Sequence, residues 1–388
     1  MRTTLNANLA VWAGAAMTFC AWSAPHEPAD AQVVLRGGDA LPQGVIVGAD
    51  ASGVAIDVAG EQPKRVVLSW DRIASVAGVE GAGEFTGVAE TAWRARTRLA
   101  RGDATGAEPL FESLFTKYEG QRGATAGVVG SGLLRCRLSR QAQAAAVRAW
   151  LALVASGEKE TTFDTPSLVA DGIVVPAMVD EQTGLAPGLP PIWIASPAVD
   201  ALAGFASAGG AAAPASPAEA RARILADLYR ASAASTMGKS TVLPARMTDD
   251  AGVALAWDVV AATAGTKDER SQARANLSAR LNADPLPPQW TEAWCRVALG
   301  RSQVLDGDGE ERLRGIVNLM HVPARLEPVS PYLAGVALVD VARMLERQGD
   351  ADAAGRVWRE LAERFPGHPA QALRGMPEDR PATAGGGK

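Results

Sequence analysis

"LERQGDADAAGRVWRELAERFPGHP", residues 345–369, decides how this chain folds. Apolar and small residues recur every three to four positions on both sides of Gly349-Asp350, the spacing of two amphipathic helices. Glycine accepts the left-handed backbone that ends one helix, and aspartate offers the oxygen that caps the next. The stretch therefore predicts a helix–turn–helix hairpin. Residues 92–115, "AWRARTRLARGDATGAEPLFESLF", carry the same arrangement around Gly102-Asp103. From that glycine the chain reaches Ala107, Phe111 and Leu114; from Gly349 it reaches Ala354, Trp358 and Leu361 at the same offsets. The hairpin is repeated.

Two weaker copies follow the pattern in part. Residues 122–156 place Ala146, Trp150 and Leu153 correctly but put Gln141 where the turn glycine belongs. Residues 289–322 keep Leu299-Gly300 and the turn Gly307, yet have Arg312 where a small residue is expected. Further helices are expected around 216–236, 251–264 and 268–282. These residues resemble the tetratricopeptide (TPR) family, whose antiparallel helix pairs stack into a superhelix. Neighbouring copies are longer than that family's repeat of about 34 residues. The resemblance implies a groove lined by the first helix of each pair. Six residues before each turn position stands an arginine: Arg96, Arg135, Arg301 and Arg343. Stacking would align them as a ladder for carboxylates of an extended peptide or an acidic polymer, and they are the candidate partner-binding residues.

The N-terminus sets the compartment. Arg2 precedes the apolar run "LNANLAVWAGAAMTFCAWSA" and then "PHEPADAQ", with Ala29 and Ala31 as a small-x-small cleavage pattern before Gln32. Residues 1–31 thus read as a signal peptide, and the mature chain as periplasmic or secreted. Phe19 before Cys20 argues against lipidation. No later run of about 18 apolar residues follows, so no integral membrane span is expected after cleavage. The chain has 388 residues, 47% of them hydrophobic, with a formal charge of -5. Such a balance supplies no basic field for nucleic acid. Cys136 and Cys295 lie within helical patterns, and sequence leaves open whether they pair. His26, His321 and His368 are too scattered for a local zinc motif, and no cofactor is expected.

Residues 32–80 change period from helix to strand. The Val/Ile-rich segments 32–36, 44–49, 53–58 and 65–70 are separated by turn residues, with "DASG" at 50–53 as a hairpin turn. Their spacing resembles SH3-like or Sm-like barrels, and Trp70 is expected in the core or at a domain interface. Residues 158–215 interrupt the helices. "DGIVVPAMVDEQTGLAPGLPPIWIA" predicts a β-hairpin or extended arm packed by Trp193 and Ile194, followed by an Ala/Gly/Pro linker up to Ser216, which caps the next helix. The expected fold is multidomain α+β. A small all-β barrel (32–80) precedes a mainly α-helical TPR-like solenoid (84–157 and 216–376), interrupted by the insert, with a disordered tail at 377–388.

Several motifs fail on their chemistry. "GKST" at 238–241 lacks the phosphate loop's first glycine, since position 233 is Ala233. "DGDGEE" at 306–311 has Glu311 and Val317 where a calcium loop needs glycine and a bidentate glutamate. It reads as a polar turn with Asp308 as a cap. "GVVGSG" at 127–132 has the wrong spacing around Ser131 for a nucleophile elbow and reads as a packed face of small residues. The leading expectation is a non-catalytic exported scaffold that holds a protein or peptide partner in its groove. The alternatives are a structural component of an envelope assembly, and an enzyme with a site near the 158–215 insert.

Overall fold

The computed structural model describes residues 31–38, 41–59, 64–159, 178–205 and 213–374. Residues 1–30 of the expected signal peptide, residues 160–177 and 206–212 of the insert and linker, and the C-terminal tail lie outside the described residues. Three of the four turns found in the sequence close in one way. Gly102, Gln141 and Gly349 all take the left-handed conformation, with φ of 79°, 59° and 82°. Each donates its N–H three residues back, to Leu99, Leu138 and Glu346, while the next residue reaches five back, to Arg98, Arg137 and Leu345. This double bond pattern satisfies the carbonyls a helix end leaves open. The fourth turn differs: Gly307 is extended, at φ −76° and ψ 152°.

Around these turns lie α1 (Thr86–Ala100), α2 (Ala104–Tyr118), α3 (Ala124–Ser139), α4 (Gln143–Ser156), α9 (Gln289–Asp306), α10 (Gly309–His321), α11 (Pro331–Arg347) and α12 (Ala351–Arg364). Between them are α5 (Pro197–Ala203), α6 (Pro217–Thr236), α7 (Ala251–Ala264) and α8 (Lys267–Leu281). Ser216 caps α6 by accepting from the Glu219 N–H at 3.2 Å. Helices pack in chain order, α1 on α2, α2 on α3, α3 on α4, α4 on α6, and so on to α12. Close approach rests on small residues. A Cβ on Gly132 would enter the Phe111 ring, and one on Gly300 would meet the Gly315 carbonyl at 2.8 Å. Gly315 thus supplies the smallness expected at Arg312, three residues further along α10. The "GVVGSG" face and Asp308, which caps α10 through the Glu310 and Glu311 N–H groups, do what their chemistry predicted. Gly238, of "GKST", ends α6 with the same double bond pattern as the hairpin turns.

The N-terminal strands are β1 (Gln32–Leu35), β2 (Gly44–Asp50), β3 (Gly53–Val58), β4 (Lys64–Leu68) and β5 (Ile73–Ala77). They form two antiparallel sheets, β2-β3-β4 and β1-β5, so the expected barrel is not closed among the described residues. The break comes at Trp70–Arg72, a 3-10 turn between β4 and β5. There Trp70 leaves the ladder, stacks on Phe85 at 5.0 Å and donates its backbone N–H to Thr125 Oγ1. The hairpin tip is joined to the helices more tightly still. The Ser52 hydroxyl accepts from the Ala124 N–H, and its carbonyl accepts from the N–H and hydroxyl of Thr125. Ser52 therefore caps α3 from another part of the chain, where Gly123 has no side chain to do so. A Cβ on Gly123 would lie 1.8 Å from the Ser52 hydroxyl oxygen.

Candidate functional site

Residues 178–196 of the insert form neither helix nor strand. The expected β-hairpin is absent among the described residues, because Pro187, Pro190 and Pro191 have no N–H for a ladder. An arm forms instead, and it packs as Trp193 and Ile194 foretold. Leu185, Ala186, Leu189 and Trp193 are buried in the same core as α3, α6, α9 and α11. Six side chains from α6, α9 and α11 donate to its main-chain carbonyls. Arg221 reaches Thr183, Trp294 Nε1 reaches Pro187 at 3.0 Å, and the Tyr229 hydroxyl reaches Leu189. Further on, Ser232 donates to Pro191 at 2.6 Å, Tyr332 to Ile192 at 3.0 Å, and Arg301 Nη1 to Trp193 at 3.1 Å. These donors satisfy carbonyls that burial would otherwise leave costly. The inner side of the helices thus already holds one non-helical stretch of chain, by its backbone.

Where the arm ends, a cleft of about 640 Å³ opens between the last turns of α6, α9 and α11. Its floor includes Trp193, Ile194 and Met344, and four guanidinium groups line it: Arg301, Arg312, Arg343 and Arg347. Asp340 is the single carboxylate among the lining residues. Arg301 Nε and Nη2 grip Asp340 at 2.6 and 3.2 Å, which aims the remaining guanidinium N–H at the arm. Arg343 is half-buried, while Arg312 and Arg347 are exposed. Leu305, 60% exposed, adds apolar surface to the lining.

The arginine ladder is therefore not one row. Arg301 and Arg343 meet in the cleft, but Arg96 and Arg135 do not line it. Arg96 donates to buried Asp71 at 2.7 Å and ties α1 to the strand module; Arg135 is half-buried on α3. The arm is held by donors from α6, α9 and α11, whereas Arg96 and Arg135 stand on α1 and α3. Sequence reasoning missed Arg312, Arg347 and the five other arm donors. The legible signal was the run "LAPGLPPIWIA" at 185–195, whose prolines leave carbonyls that need outside donors.

Neither of the two described cysteines lines the cleft. Cys136 and Cys295 are free and buried, and burial pushes both thiols up to about 12. Asp306, of the failed calcium loop, is paired with Arg270 at 2.6 Å. Among the described residues no cluster of His, Cys, Asp or Glu is arranged to hold a metal ion. No described helix is long and apolar enough to cross a membrane. No family model matches the chain, and neither a curated protein nor a solved structure matches it.

Proposed function

We propose that this protein is a non-catalytic exported scaffold, periplasmic or secreted, that binds a protein or peptide partner on the inner side of a TPR-like solenoid. Support comes chiefly from one observation: the helices carry six side-chain donors aimed at main-chain carbonyls of an extended segment. That is the chemistry of peptide recognition, here applied to the chain itself. The repeated hairpin turns support the solenoid, and the strand module, docked by Trp70 and Ser52, is its N-terminal end cap. The strongly raised pKa of Cys295, Tyr229 and Tyr332 follows from burial in the core, so these groups offer no solvent-facing nucleophile or base.

A structural role in an envelope assembly has its own observation. Leu313 and Val317, four residues apart on α10, are 63% and 68% exposed, a start for a lateral contact. The test that separates the readings is affinity capture of the mature chain, residues 32–388, from an envelope extract. In parallel go Arg343→Glu/Arg347→Glu and Leu313→Ser/Val317→Ser variants. A partner lost only with the arginine pair supports the groove scaffold. A partner lost only with the α10 pair replaces it by the assembly role, and no specific partner in any sample sinks both.

A further inference from the structure

We infer that a second copy of this chain pairs with the free edge of β2, strand against strand, and joins two strand modules through one six-stranded sheet. Among the described residues β2 pairs with β3 alone, and its other edge is open. An open row of backbone N–H and C=O groups is a template for another extended strand. The other strands manage their edges. Lys64 and Arg65 put charge on β4, β1 is four residues long and irregular at Val34–Leu35, and β5 lies beside α1. β2 is the longest strand at seven residues, and no ionisable side chain stands from Leu41 to Ala49.

The side chains of β2 fit a copy of themselves. Val45 and Val47 are 70% and 44% exposed, while Ile46 between them packs on the core of the strand module. Antiparallel pairing about Ile46 sets Val45 of each copy opposite Val47 of the other, so one register covers both exposed valines in both chains. Such β-branched pairs stabilise a sheet, and a twofold contact of this kind closes on itself. Gly44 then faces Gly48 with no side chain to clash, and Asp50 faces Pro42 rather than another carboxylate. The bulge between Ile46 and Gly48 shifts the faces that follow, since Ala49 packs inward, and Pro42 has no N–H to pair. Clean pairing is thus confined to residues 44–48. Assembly stops at two copies, because the outer edges of the joined sheet are the β4 strands with Lys64 and Arg65. A ladder this short lies below the standard interface of about 1,600 Å², which makes the dimer a weak one.

Sedimentation equilibrium of the mature chain, residues 32–388, between about 1 μM and 1 mM is expected to show a monomer–dimer equilibrium. Val45→Lys/Val47→Lys is expected to weaken the dimer roughly tenfold or more, by setting like charges opposite one another. Val67→Lys, at an exposed position on β4, should leave it unchanged. Far-UV circular dichroism of both variants should match the parent chain, which separates lost pairing from lost fold. Cysteine cross-linking reads the register without removing the contact. Val45→Cys chains mixed with Val47→Cys chains, with oxidised glutathione as oxidant, are expected to form a mixed disulfide. Opposite Cα atoms in such a ladder stand about 4.5–5.5 Å apart, within a disulfide's reach. Each variant alone should cross-link far less, and the parent chain, whose Cys136 and Cys295 are buried, not at all. A parent chain that stays monomeric across the range, a dimer that survives the lysine pair, or equal cross-linking by Val45→Cys alone overturns the inference. So does assembly that continues past two copies, or a dimer lost with Leu313→Ser/Val317→Ser in place of the lysine pair, which would assign the contact to α10.

Discussion

Gln141 holds φ at 59° where its two counterparts are glycine. A side chain in the left-handed region costs about 1–2 kcal/mol, and glycine's extra freedom when unfolded costs about 0.5–1. Gln141→Gly is therefore expected to raise stability by roughly 0.5 kcal/mol or more, and Gly349→Gln to lower it by about 1 kcal/mol. Urea denaturation of both variants checks the pair; a destabilised Gln141→Gly would mean that the glutamine side chain contributes more than its strain. The turn at Gln141 was legible without its glycine because Ala146, Trp150 and Leu153 kept their offsets. Gly315 was not legible as the contact on Gly300, because an extended Gly307 shifts the register of α10 and no local pattern records it.

At the scale of elements, the short 3-10 turn after α12 (Pro369–Leu373) is fixed by His368. Its Nδ1 accepts from the Ala370 N–H, so Nε2 carries the proton and donates to the Tyr332 carbonyl at 3.0 Å. The ring also fills the space above Gly335, where a Cβ would stand 2.6 Å from Nε2. Burial lowers the His368 pKa below 6.5, outweighing the Tyr332 bond that raises it. The unfolded chain then takes up the proton first. Stability from this residue is full above about pH 6.5 and declines as pH falls toward the lower folded pKa. His321 shifts in the same direction, through burial and then Arg296, so the wild-type slope contains both. The urea midpoint should fall between pH 7 and 5, and His368→Gln should flatten part of that slope; an unchanged slope refutes the assignment. Helices α6, α7 and α8 were readable to within two residues, since period and caps are local. The arm's burial was readable from its apolar residues, but its course was not, because its partners lie on helices far along the chain.

Over the whole molecule, the strand module is fastened to the helices by Ser52 at α3, Trp70 at Thr125, and the Arg96–Asp71 pair. Such joints make the two parts unfold together. In the intact chain, near-UV and far-UV signals are expected to lose structure at one denaturant concentration. Ser52→Ala/Thr125→Val should cost about 2 kcal/mol and separate the two transitions. Coincident transitions in that variant would show the docking to be dispensable. Strands and repeated hairpins are patterns written in neighbouring residues. The unclosed barrel and the cleft are products of contacts across the fold, and of the named arginines only Arg301 and Arg343 met there.

Those distant contacts carry a kinetic consequence. Pro187 waits for Trp294, 107 residues later, and Ile192 waits for Tyr332, 140 residues later. The chain cannot complete its interior in the order in which it is made. Its middle must stay open until the last helices arrive, and such distant closures slow folding. A chain cut short before Pro331 would present Leu189, Ile192 and Trp193 with part of their cover missing, a surface suited to chaperones and proteases.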